Sequence, residues 1–482
     1  MIDPRPVLFV IGILIAGLGA AMLLPMAADL TQGNDNWAAF AICGFLTMVS
    51  GAGMVLGCRE ARRPGLSIQQ TFLLTTLTWV ILPVFAGLPL MAGAPGASFT
   101  DAYFEAVSGL TTTGSTVLVG LEALPAGAQL WRGLLQWMGG IGIIVVAIAF
   151  LPSMKVGGMQ YFRSEGFDTM GKILPRAAEI AGSVFWVYLL FTFVCMIAYE
   201  AVGMSFFDAI VHAMTTISTG GFANYDASFG VFQGRPEYVA SVFMLLASLP
   251  FVRYVQIVAG TARPLMRDPQ VRAFLGIVVA LVGVVTAYRM ISLGDAPEPA
   301  FREALFNITS IISGTGFASV DYMQWGTFPV ALFFFIGLLG GCTGSTCCSI
   351  KIFRFQIALS AVRSQIRMIH SPHGVFVPRY DGRPVPRDVI DSVMAFFVLF
   401  GFTLAALAVV LGLLGLNTIT AVSGAATALA NVGPGLGTVI GPAGNFATLD
   451  APVKWVLAAA MLIGRLEIFA VYVLFTARFW RD

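Results

Sequence analysis

Along its hydrophobic and polar positions the chain is a series of long apolar runs joined by short polar connections. Crossing a hydrocarbon core of ~30 Å takes roughly 20 mainly apolar residues in a helix. Runs of that length occupy Val7–Ala28, Trp37–Cys58, Gln70–Met91, Gln129–Leu151, Ile180–Val202, Tyr238–Gly260, Arg272–Ile291, Phe328–Ser364, Val389–Leu413 and Val453–Phe475. They predict about ten membrane-spanning helices. The first is too long for the core of a cleaved signal and has only Arg5 ahead of it as a base, which predicts a retained span.

Four stretches between spans are semi-polar, too short to cross, and align without gaps. They run from Asp101 to Ser115, Asp208 to Phe222, Glu303 to Phe317 and Thr420 to Pro434. Each begins with an acidic residue or Thr, as a helix N-terminus favours, and continues for about three turns of small and apolar residues. Each then reaches a hydroxyl and a Gly at one fixed offset. The repeating unit is span, short helix, irregular loop, span, used four times behind two extra spans. The fold class predicted is an all-α polytopic membrane protein with a fourfold pseudo-repeat of helix, pore helix, filter loop and helix. The segments are 1–64 for the two leading helices, 65–165 and 166–265 for the first two repeats, 266–370 for a third with a broken second helix, and 371–482 for the fourth.

Composition narrows the class further. With 57% hydrophobic and 11% charged residues and a mean hydropathy of +0.85, a soluble globule is excluded, because such a chain could not hide its apolar surface. A net charge of +2 gives no reason to expect a nucleic-acid partner. The placement of charge says more. Bases gather in alternate connections: Arg59, Arg62 and Arg63; Lys155, Arg163, Lys172 and Arg176; Arg263, Arg267 and Arg272; Arg363, Arg367, Arg379, Arg383 and Arg387; Arg478 and Arg481. The connections between them hold Asp29, Asp35, Asp226, Asp295, Glu298 and Asp450. The positive-inside rule then puts both termini in the cytoplasm and the four semi-polar stretches outside, in agreement with an even number of spans. Cys43, Cys58, Cys195, Cys342, Cys347 and Cys348 lie in or beside apolar runs, which predicts free thiols.

Irregular backbone at membrane depth leaves carbonyls that lipid cannot satisfy, so it must face protein or a watery path. A short helix entering from outside points its negative dipole end at the membrane centre. Four such ends around an axis favour a cation, and the following Ser, Thr and Gly backbone can replace an ion's hydration shell with carbonyls. Gly tolerates the positive φ that this requires. The candidate ring is Gly114, Gly221, Gly316 and Gly433, with Thr111, Thr112, Thr113, Ser218, Thr219, Gly220, Ser313, Gly314, Thr315, Asn431 and Val432 beside it. No Asp or Glu ring accompanies it, which points to a dehydrated monovalent cation. The blander alternative is that these small residues only let helices pack closely.

The run from Phe328 is interrupted at mid-membrane by Gly340, Gly341, Cys342, Thr343, Gly344, Ser345, Thr346, Cys347, Cys348 and Ser349, followed by Lys351 and Arg354. Such a break is tolerated beside a cavity, and it reads either as a movable gate or as a static kink. Three thiols there could also be read as a soft-metal site, but no His lies near in sequence. Arg465 sits near the middle of the last run. Its charge costs at least ~2.5 kcal/mol there unless it faces water or a partner. It is either a positive barrier in the pore or half of an ion pair, for instance with Glu467. His212 reads as a packed residue, His370 and His373 as parts of a connection, and Glu105 and Glu200 as either cation attractors or structural groups. No acidic relay for a symporter, no catalytic cluster and no phosphate-cradling Gly-Lys-Ser/Thr loop appears, so no enzyme and no cofactor is expected.

The motifs Thr-Thr-Thr-Gly-Ser (111–115), Ser-Thr-Gly-Gly-Phe (218–222), Gly-Thr-Gly-Phe (314–317) and Asn-Val-Gly-Pro-Gly (431–435) resemble those of the membrane subunit of bacterial Trk-type potassium uptake systems, in the Trk/Ktr/HKT superfamily. The likeness covers essentially the whole chain, including Trp137-Met-Gly-Gly-Ile-Gly-Ile-Ile (137–144) and Gly-Arg-Leu-Glu (464–467). It implies one filter with a central Gly from each loop. Some relatives carry Ser at the first position and favour sodium; Gly114 therefore implies potassium as the substrate. It also implies a gate at the intramembrane loop, a pore charge at Arg465, a homodimer with one pore per chain in the inner membrane, and a cytosolic TrkA-like nucleotide-binding regulatory subunit docked on the basic connections. The chain departs from the family pattern at Cys347-Cys348-Ser349, where relatives tend to carry Ala and Gly. A proton- or sodium-coupled symporter on the same scaffold is the alternative reading.

Overall fold

The structure, a computed structural model, describes residues 3–61, 66–149 and 177–481. The predicted basic residues Arg62, Arg63, Lys155, Arg163, Lys172 and Arg176 lie outside the described residues, as does the end of the fourth apolar run at Leu151.

Among the described residues, six helices are long and apolar enough to span a membrane without a sharp bend: Arg5–Thr31, Trp37–Gly57, Ile68–Ala92, Ala181–Ala201, Pro269–Leu293 and Arg387–Leu413. The helix Ala126–Ala149 follows the first short helix. Outward-facing positions are apolar, with Phe45 62%, Val279 72% and Phe402 72% exposed, whereas Thr111, Thr215 and Asn307 are fully buried. A surface of that kind suits lipid and a polar interior suits a water-filled path. The two leading spans meet through glycine: a Cβ on Gly12 would lie 2.9 Å from the Gly51 carbonyl oxygen, and one on Gly19 2.8 Å from that of Gly44. Such close backbone approach is a usual basis of helix association in lipid.

Two runs expected to be continuous are sharply bent. Arg235–Ala247 meets Phe251–Val258 at 89°, and Ala451–Arg465 meets Phe469–Phe475 at 105°. The first bend falls just before Pro250, which disfavours helical backbone in the residue ahead of it. At the second, Glu467 and Ile468 take left-handed φ of +62° and +52°, which ends the helix. The third repeat is broken as its glycines suggested, between Thr327–Gly337 and Ile352–His370. Besides helices there is, among the described residues, one short antiparallel ribbon, Arg379–Tyr380 with Arg383–Pro384.

The four short helices are Phe99–Leu110, Phe206–Ile217, Pro297–Ile312 and Thr418–Ala430. Their starts follow from capping. The Asp101 N–H donates to Ser98 Oγ, that of Asp208 to Ser205 Oγ, and that of Thr420 to Asn417 Oδ1. The third differs from the alignment's expectation: it begins at Pro297, so Glu303 stands in its second turn and Glu298 takes the first-turn position. Proline preset for the first helical turn extends this helix outward.

Candidate functional site

The C-terminal ends of the four short helices deliver their loops to one place. A Cβ added to Gly114 would strike the Gly220 carbonyl and lie 3.5 Å from Gly433 Cα; one on Gly221 would strike the Thr315 carbonyl. A Cβ on Gly316 would lie 2.7 Å from Gly433 N, and one on Gly433 3.2 Å from the carbonyl oxygens of Thr113 and Gly114. Contacts therefore pass from the first loop to the second, third and fourth and back to the first. The ring is closed, and no side chain fits in it.

The loop backbones share an unusual course. Two positions before each ring glycine, Thr112, Thr219, Gly314 and Asn431 have φ of +52°, +50°, +77° and +53°. Gly114, Gly221 and Gly316 have φ of +88°, +77° and +83°, while Gly433 does not enter the left-handed region because Pro434 follows it. Alternation of left-handed with ordinary residues lets successive carbonyls turn to one side. Among the described residues, no donor reaches the carbonyls of Thr112, Gly114, Gly314 or Gly316. Other carbonyls are taken, among them Gly220's by Gln136 Nε2 at 2.6 Å and Gly433's by Ser115 Oγ at 2.9 Å.

Thr112 Oγ1 is buried without a hydrogen-bond partner, whereas the other hydroxyls of the motifs are engaged with protein. Thr111 Oγ1 donates to the Val107 carbonyl and lies 2.7 Å from Thr113 Oγ1. Ser313 Oγ pairs with Thr315 Oγ1 at 2.7 Å, Ser218 Oγ donates to Thr215 O, and Thr219 Oγ1 donates to Ser218 O. Asn431 Nδ2 donates to Thr113 Oγ1 and Met461 O, and Val432 is buried. On the mouth side an open vestibule is lined by the four ring glycines with Ser115, Arg132, Asp226 and Asn445.

On the other side, residues 338–351 of the broken helix are packed against the bends of their neighbours. Gly340 is left-handed at +74°, and Gly341 leaves room for Cys347 Sγ. The Thr343 N–H donates to Gln270 Oε1, the left-handed Gly344 accepts from the Phe251 N–H at 2.9 Å, and Thr346 Oγ1 donates to Ala247 O. Ser345 Oγ donates to Cys342 O at 2.6 Å. Ser349 donates through its N–H and its Oγ to Ala430 O, at the end of the fourth short helix. The loop thus touches the ring assembly directly.

Arg465 is 2% exposed. Its Nη2 donates to Gly139 O at 3.0 Å and its Nη1 contacts Cys348 Sγ, so it reaches groups of the first and third repeats from the fourth. Its Nε has no partner, and among the described residues no carboxylate pairs with it. Glu467 instead binds Lys351 Nζ at 2.7 Å and the Arg354 guanidinium. Lys351 is therefore neutralised, and Arg465 is not.

The remaining candidates resolve simply. Glu105 is buried against Arg132, and Glu200 is exposed. His212 packs among Phe229, Phe232 and Phe317 with Nδ1 2.8 Å from Asp208 O; His370 and His373 are exposed. Cys347 Sγ donates to Ser248 Oγ, and among the described residues no cluster of metal-ligating side chains forms. All six cysteines are unpaired. The motif reading missed Gln136, Arg132 and Ser423, which hold the loops from behind; the signal was a polar residue inside an otherwise apolar helix.

The sequence model of the TrkH family, described as a cation transport protein, matches residues 37–481. The Trk system potassium uptake protein TrkI of Halomonas elongata is 45% identical over 480 residues, covering 99% of this chain and 97% of that protein. The Trk system potassium uptake protein TrkH of the same organism is 36% identical, with 99% of both chains covered. The crystal structure of the potassium transporter TrkH from Vibrio parahaemolyticus aligns over 100% of both chains with a TM-score of 0.91 at 33% identity. A closed ring of four re-entrant loops, a full-length family match and a full-length structural match agree: this chain belongs to the TrkH family of cation transport proteins.

Proposed function

We propose that this chain carries potassium across the bacterial inner membrane, along the axis of the four-loop ring, with both termini in the cytoplasm. The observation that carries the reading is the closed contact between Gly114, Gly221, Gly316 and Gly433 at the ends of four inward-pointing helices. Unpartnered carbonyls at those ends offer a bare cation what water would, and helix dipoles add to the attraction. The names of the relatives, as potassium uptake proteins, support potassium as the cation. The packed loop 338–351 is the gate and Arg465 the charge that a cation must pass beneath the ring. The chain works as a homodimer with one pore in each copy, requires no cofactor of its own, and is regulated by a cytosolic nucleotide-binding subunit on its basic connections. None of this needs enzyme chemistry.

Expression in a bacterium lacking its potassium uptake systems tests the assignment. Growth on low-potassium medium should be restored. Well-expressed protein that restores nothing would overturn it.

A further inference from the structure

At one offset before each ring glycine the repeats carry Glu105, His212, Asn307 and Gly424. The structure gives this position a common task. Glu105 Oε2 accepts the Val117 N–H at 2.9 Å, and Asn307 Oδ1 accepts the Ser319 N–H at 3.2 Å; each donor lies at the same distance past its ring glycine. In the fourth repeat the position is glycine, and the adjacent Ser423 Oγ accepts the equivalent N–H, from Leu436, at 3.0 Å. Three short helices thus hang the outgoing strand of their own loop from a buried acceptor.

The second repeat is built differently. His212 Nε2 is buried without a hydrogen-bond partner; Asp208 of the same short helix accepts from the Asn224 and Tyr225 side chains, while the backbone of the outgoing strand is held by the first repeat's return helix. From that helix Gln136 Oε1 accepts the Phe222 N–H at 2.9 Å, and Arg132 Nη1 donates to Ala223 O at 2.8 Å with its guanidinium 4.2 Å from the Phe222 ring. The same Arg132 donates from Nε to Glu105 Oε1 at 2.8 Å, both side chains being at most 1% exposed. One buried ion pair therefore fixes the exits of two neighbouring loops relative to each other.

We infer that Arg132 and Glu105 are positioning residues for ion selection: they set the spacing between the first and second loops, as Asn307 and Ser423 do singly for the third and fourth. The inference rests on the filter reading above. A ring that discriminates by carbonyl spacing needs support behind it, since neither Gly114 nor Gly221 has a side chain with which to anchor itself. An ion pair is suited to the task because losing one partner leaves the other charged and buried, so no relaxed alternative competes.

The test measures initial uptake of potassium and sodium in proteoliposomes for Arg132→Lys, Glu105→Asp, Glu105→Gln, Asn307→Ala and Gly316→Ser. Loss of one brace should raise the sodium-to-potassium uptake ratio by roughly two- to tenfold, the equivalent of one net hydrogen bond. Glu105→Asp, which keeps the charge, should deviate less than Glu105→Gln. A merely structural role would lower yield without moving the ratio. If the charge variants fail to accumulate, Asn307→Ala, which buries no orphan charge, decides by the same ratio. Folded brace variants with the wild-type ratio overturn the inference when Gly316→Ser shifts it; an unmoved ratio in Gly316→Ser as well overturns the filter reading instead.

Discussion

At the scale of single residues the structure separates two kinds of buried cation. Lys351 and Arg354 share Glu467, and Arg132 has Glu105. Arg465 has a carbonyl, a thiol and the face of the Trp79 ring, 5.6 Å from its guanidinium carbon, but no carboxylate among the described residues, and its Nε has no hydrogen-bond partner. An uncompensated guanidinium at membrane depth is costly, and it repels cations on an axis nearby. The ion-pair alternative for Arg465 is removed by the direction Glu467 takes, toward the broken helix of the third repeat. Replacing Arg465 with Gln, which keeps a donor for Gly139 O, should therefore raise potassium flux on the order of tenfold. Flux at or below the wild-type rate in a protein of normal yield would contradict a barrier role. That Arg465 mattered was legible from its place in an apolar run. Its partners were not, because Cys348 and Gly139 are remote in sequence and carry no charge pattern.

At the scale of elements the recurring feature is the interrupted return helix. The sequence pattern pointed to one break, at Gly340 and Gly341, because glycine and hydroxyl residues announce it. It passed over two others. Pro250 was a visible stop signal within a run still apolar enough to cross. The bend after Arg465 has no turn residue at all: Glu467 and Ile468 are forced into left-handed backbone, which a β-branched residue adopts only when its surroundings impose it. What imposes it is the tie from Glu467 to Lys351 and Arg354, joining the broken helix of the third repeat to the bent helix of the fourth. Glu467→Gln should leave two cations buried beside a neutral amide and destabilise the protein by about 3–5 kcal/mol. Thermal unfolding in detergent would show a clear fall in the midpoint; an unchanged midpoint would mean that the bend is held by something else.

At the scale of the molecule, four weakly similar stretches become one object. Identity between the repeats is low, yet the ring glycines keep one offset and meet, and the left-handed position two residues earlier recurs in all four. This was readable because the constraint is backbone geometry, which few residue types satisfy. The supports behind the ring were less readable, because a hydrogen bond to one N–H can come from Glu, Asn or Ser, or be replaced from a neighbouring helix as in the second repeat. The central claim is that carbonyls on this axis select the ion. Its most direct test is the uptake of potassium, rubidium and sodium by purified protein in liposomes, wild type beside Gly221→Ser, whose new side chain would collide with the Thr315 carbonyl. Wild type should move potassium and rubidium faster than sodium by roughly tenfold or more, and Gly221→Ser should narrow that margin. Sodium entering as fast as potassium in the wild type, or an unaltered margin in a folded Gly221→Ser protein, would contradict the account.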